Sequence, residues 1–145
     1  MNREQLQKLT KLRVKEAKIL YENKCFEGAY YLLGYAVECA LKACIAKQVQ
    51  QYDFPDKKLA NESYTHNLIN LIKTANLYEA LNKSEYKSVK LNWSIITKTT
   101  NNTSVAWSEM IRYHTDSISE VQAKDFFDAV IDENEGILKW LENYW

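Results

Sequence analysis

Nearly twenty residues, from Phe26 to Ile45, carry apolar side chains at successive spacings of three and four. No other feature constrains the fold as strongly. Phe26, Ala29, Tyr30, Leu33, Val37, Ala40, Leu41, Cys44 and Ile45 line up along one long helix. Between them lie Gly28, Gly34, Ala36, Cys39, Ala43 and Ala46, small enough for neighbouring helices to approach closely. This pattern predicts a helix at the centre of a bundle. Glu38 is its anomaly, a carboxylate in a segment that should be largely buried. Such a charge needs a basic or hydrogen-bonding partner, or it must reach a cleft, and a structural ion pair is the expectation.

The rest of the chain also reads as helix. Only three Gly and one Pro occur in 145 residues, which disfavours collagen-like, linker-like and turn-rich all-β folds. With 46% hydrophobic and 26% charged residues, the chain can bury a core. Leu6, Leu9, Ala17, Leu20 and Tyr21 predict a first helix over residues 3–22, joined to the second through residues 22–25. Residues 50–64 contain Pro55 and no periodicity, so they read as a loop. Thr65 then reads as the N-cap of a helix carrying Leu68, Ile69, Leu71 and Ile72. Another helix begins near Ser84, with Val89, Trp93 and Ile96 at helical spacing, and residues 97–104 form a polar loop. Ser119 and Gln122 stand in capping-box spacing at the start of a last helix. Phe127, Val130, Leu138, Leu141 and Trp145 share one of its faces, which carries that helix to the end of the sequence. One domain over residues 1–145 accounts for the whole pattern.

Charge is balanced overall, with 19 basic and 19 acidic residues, which argues against a protein that coats nucleic acid non-specifically. It is unevenly placed. Residues 1–24 hold seven bases against three acids, and residues 109–145 nine acids against three bases. Cys25, Cys39 and Cys44 are odd in number and form no Cys-x-x-Cys, so they read as reduced thiols of a cytoplasmic protein. Glu38 and Lys42 interrupt the most apolar stretch, so no membrane span is expected. Two distant histidines with no ligand spacing argue against a metal site, and three isolated glycines cannot build a phosphate loop. No cofactor is implied.

One segment does suggest a site. Trp107-Ser108-Glu109-Met110-Ile111-Arg112-Tyr113-His114-Thr115-Asp116 gathers Arg, Tyr, His and Asp just before the last helix. Arg112 could grip a phosphate together with backbone amides of that helix, and Tyr113 could stack on a base. His114 could act as an acid or base on a ribose hydroxyl. The plainer expectation pairs Arg112 with Glu38 or Glu109 and leaves His114 on the surface.

The segment Phe26-Glu27-Gly28-Ala29-Tyr30-Tyr31-Leu32-Leu33-Gly34-Tyr35-Ala36-Val37-Glu38-Cys39-Ala40-Leu41-Lys42-Ala43 resembles the signature helix of HEPN domains (higher eukaryotes and prokaryotes nucleotide-binding). Thr65-His66-Asn67-Leu68, the stretch from Trp107 to Tyr113 and the terminal Gly136 to Trp145 fit the same family in order. The resemblance implies an all-α, up-and-down bundle of four main helices plus a short one, usually a homodimer. Many HEPN proteins are metal-independent ribonucleases of toxin–antitoxin and phage-defence systems, often accompanied by a nucleotidyltransferase-like protein. Other members bind nucleotides, RNA or protein partners without catalysis.

The ribonucleases of the family use an Arg followed, after some four to six residues, by a His. Arg112 is the only Arg in the right region, and Ser117, Ile118 and Ser119 occupy the positions where the His should fall. His114 comes too early. The resemblance therefore implies a dimeric module that binds a nucleotide, RNA or a partner, with Arg112, Tyr113 and Glu38 at its cleft. A variant ribonuclease using Arg112 with His114 or His66 is the alternative, and a scaffolding bundle without a small ligand is a third.

Overall fold

The computed structural model describes residues 1–49, 56–98, 106–115 and 117–145, and these contain helices, turns and no strand. The chain runs through α1 (Arg3–Glu22), α2 (Phe26–Gln48), α3 (Lys57–Ser63), α4 (Leu68–Thr74), α5 (Tyr78–Leu81), α6 (Lys87–Thr97), α7 (Glu120–Ile131) and α8 (Ile137–Leu141). Short 3₁₀ helices cover Ser84–Tyr86 and Glu109–Tyr113. Four of these helices, α1, α2, α6 and α7, exceed ten residues.

Helix α2 is the axis of the molecule. Thirteen of its 23 residues are buried, and α1, α4, α7, α8 and the second 3₁₀ helix all pack on it. Its length and apolarity would suffice to cross a membrane, yet most of it is buried by these neighbours. Helix α1 opens on a capping box between Asn2 and Gln5 and lies along α2, burying Leu6, Thr10 and Ala17. Lys24, at φ 61°, closes it in the left-handed conformation, with the Cys25 amide bonded back to the Leu20 carbonyl. On the far side Tyr30 of α2 meets Phe126 of α7 with ring centroids 3.9 Å apart. Glu27, Tyr31, Tyr35 and Lys42 are only half buried and fall on one side of α2, close to Glu38 in helical register.

Three expectations change. The helix after the Pro-containing stretch is capped by Asn67, whose side chain accepts from the Asn70 amide, and not by Thr65. Thr65 instead accepts from the Asn67 amide through its hydroxyl, which keeps His66 out of the helix. Part of the expected loop at 50–64 is helical, because Asp56 accepts from the amides of Lys58 and Leu59 and starts α3; residues 50–55 lie outside the described residues. The last helix is broken. Ser119 and Gln122 do form the capping box, but Asp132 accepts from the amides of Asn134 and Glu135, ending α7 and turning the chain into α8. The polar loop at 97–104 falls mostly outside the described residues, with Thr97 closing α6.

Burial also separates the three thiols. Cys25 is exposed, whereas burial pushes the Cys39 thiol up to about 11 and the Cys44 thiol up to about 12. The thiolate is the reactive form. At pH 8 a thiol reagent should therefore modify one cysteine per folded chain, Cys25, and all three after denaturation. Mass spectrometry counts them, and rapid native labelling of Cys39 or Cys44 would contradict this packing.

Candidate functional site along the second helix

Glu38 is 1% exposed, so its charge must be met inside the protein. Lys42, one turn further along α2, brings Nζ to 2.8 Å from Oε1. His66, from the extended link before α4, places Nδ1 2.9 and 3.1 Å from the two carboxylate oxygens. Glu38 is thus in a structural ion pair, as expected of a buried carboxylate, but its partners are Lys42 and His66 and not Arg112. The acceptor-only carboxylate holds the imidazole proton on Nδ1, which leaves Nε2 with a lone pair in the neutral ring.

From His66 the row continues through aromatic rings. Tyr35 lies beside His66 with ring centroids 6.3 Å apart, and Tyr31 lies 5.9 Å beyond Tyr35. Burial, followed by the charge of Glu38, raises the Tyr35 hydroxyl above the usual tyrosine range. Arg13 of α1, held by Glu16, opposes that shift from the other side. The indole of Trp107 stacks near Tyr31 and donates to the Tyr31 carbonyl at 3.1 Å. This close approach depends on Gly34, where a Cβ would land inside the indole ring.

Arg112 ends the row. It sits in the 3₁₀ helix Glu109–Tyr113, exposed, with its guanidinium 4.8 Å from the Tyr113 ring centroid. The nearby Tyr31 side chain, followed by Tyr113, raises the guanidinium above its ordinary range. Neither Glu38 nor Glu109 pairs with it, and among the described residues no carboxylate does. Tyr113 is 66% exposed and free to offer a ring face.

Other expected features are not at this site. Three of the amides around the start of α7 are occupied, since Ile118 donates to Glu27 and both Ser119 and Gln122 bond within the capping box. The His114 ring is exposed, and among the described residues only its backbone amide is bonded, to the Ile111 carbonyl. Arg112 and Glu38 are linked through Tyr31, Tyr35 and His66 and do not touch. About two turns of α2, roughly 10 Å, separate positions 31 and 38. Sequence reasoning did not assign Tyr31, Tyr35 or Lys42 to the site. The spacing of four between Glu38 and Lys42 was the available signal, and no local spacing could pair Glu38 with His66.

Beside this row lies a cavity of about 300 Å³ walled by His66, Asn67, Thr97, Trp107, Ser108 and Glu109. Four larger grooves lie elsewhere, the two largest between α3 and α4 and between α1 and the α7–α8 turn, and Arg112 lines none of them. Among the described residues no three His, Cys, Asp or Glu side chains gather as a metal site would require. Compared with protein-family models, curated proteins and solved structures, the chain matches none.

Proposed function

We propose that the chain is a HEPN-type module that binds RNA or a nucleotide along the exposed side of α2, as a homodimer and as part of a bacterial toxin–antitoxin or phage-defence system. Its fold would be the up-and-down bundle of that family, with α1, α2, α6 and α7 as the main helices. The observation that carries the reading is Arg112, an exposed guanidinium with no carboxylate partner among the described residues and lying against the Tyr113 ring. A cation with unused donors beside ring faces suits a phosphate joined to a base. The half-buried Tyr31 and Tyr35 give a second copy something to cover, and a nucleotidyltransferase-like protein is the partner the family reading suggests.

Titrating the purified chain with short single-stranded RNA tests this directly. Removing one charge-assisted phosphate contact costs about 1.5–3 kcal/mol. Arg112→Ala should therefore weaken binding by about tenfold to a hundredfold and flatten the salt dependence. No saturable binding by the parent chain would favour the scaffold.

One observation supports the ribonuclease as a second reading, with His66 in place of His114. A buried carboxylate orients His66, and its other ring nitrogen has no partner among the described residues. That is the arrangement in which an imidazole serves as a general base. Cleavage that persists in chelator and vanishes in both Arg112→Ala and His66→Ala would establish this reading over simple binding.

A further inference from the structure

The cavity beside His66 and Trp107 contains a charged group that the preceding reading leaves unused. Glu109 lines it, half buried, and its carboxylate has neither ion pair nor hydrogen bond among the described residues. Glu109 and Arg112 belong to the same 3₁₀ helix. Such a helix has three residues per turn, so side chains three apart leave the same face about 6 Å apart along the axis. Glu109, an anion in the cavity wall, and Arg112, a cation with no carboxylate partner among the described residues, therefore leave the same face of this helix, one turn apart.

We infer that this cavity selects a guanine base, with Glu109 reading its edge and Arg112 holding the attached phosphate. The inference rests on the nucleotide-binding reading above and names its specificity. A carboxylate only accepts hydrogen bonds. Guanine is the base that turns two adjacent donors, N1–H and the N2 amino group, toward such a fork. Adenine sets a ring acceptor beside its amino group, and uracil flanks its single N–H with two carbonyls, so both would leave Glu109 facing lone pairs.

The other walls agree with this choice. The Asn67 carbonyl oxygen is committed to capping α4, so that side chain has only its NH₂ to offer, a donor suited to O6 or N7. The Trp107 indole is bonded to Tyr31, which fixes one wall. A volume near 300 Å³ stands at the small end of ligand pockets and suits one nucleoside, not a dinucleotide. Charge also sets the direction of entry. The Glu109 carboxylate repels a phosphate and Arg112 attracts it, so the base goes inward and the phosphate stays at the rim.

Calorimetric titration with GMP, IMP and AMP tests the inference, because IMP keeps N1–H and lacks only the N2 amino group. A site built around such donors rejects analogues that lack them. GMP should bind at least about tenfold tighter than either IMP or AMP. In Glu109→Gln this preference should disappear, while Arg112→Ala should weaken all three alike. Equal affinities in the parent chain, or a preference that survives Glu109→Gln, would overturn the guanine assignment and leave nucleotide binding standing. Absence of binding by all three nucleotides and by single-stranded RNA would overturn both.

Discussion

Gly34→Ala is expected to destabilise the folded chain by about 3 kcal/mol, although alanine is the better helix former. In an exposed helix the exchange would be worth up to about 1 kcal/mol in favour of alanine. Here the new methyl group would occupy the space of the Trp107 indole. Either the indole leaves its pocket or α2 shifts, and forced overpacking of a core costs about 1–3 kcal/mol. Displacing the indole also breaks its bond to the Tyr31 carbonyl, worth about 1 kcal/mol net. The clash therefore outweighs the propensity. Urea unfolding measures the difference, with Gly28→Ala as the control. A Cβ at Gly28 meets the mobile Leu20 methyl at 3.2 Å, so that exchange should be near neutral. A Gly34→Ala chain as stable as its parent would mean that Trp107 does not lie against α2. The same substitution moves a wall of the cavity, so nucleotide binding should fall with stability.

Glu38→Ala should cost about 2 kcal/mol and, unlike most core truncations, disturb both ends of an ion pair. Removing one member of a fully buried pair costs about 3–5 kcal/mol because the other charge is stranded. That figure must be discounted here. The side chains of Lys42 and His66 are 24% and 46% exposed and can turn to water. What remains is the cavity left by the side chain and the lost order of His66. A double-mutant cycle with His66→Ala isolates the latter, and a coupling of about 1 kcal/mol is expected. Strictly additive losses would show that the carboxylate does not hold the imidazole. Under the ribonuclease reading, Glu38→Ala should also depress cleavage more than RNA binding, because orientation of the base matters to the reaction and little to the grip.

What could be read from residue order follows from the range of the forces involved. The α2 pattern repeats every turn, and its small residues announce close neighbours, so both the helix and its central place were legible. The Ser119–Gln122 box was legible because its bonds reach only three residues. Thr65 misled because two good capping residues stand two apart, and only the fold around His66 decides between them. The break at Asp132 was hidden because the turn preserves the apolar phase from Val130 to Leu138. At the site, the need of Glu38 for a partner was evident from its surroundings. His66, 28 positions away, became that partner only through the placement of α4 against α2. Arg112 was expected to find a carboxylate and lies instead against the Tyr113 ring, a placement set by the packing of its 3₁₀ helix on α2. The HEPN resemblance rests on those legible stretches.

The indole wall has a practical consequence. Trp93, Trp107 and Trp140 are all buried, but of these Trp107 alone borders the cavity beside His66. A purine stacked on it would open a non-radiative route for the excited indole, so the chain contains its own optical gauge of occupancy. Quenching on addition of GMP, lost in Trp107→Phe, would report filling of that chamber in unlabelled protein.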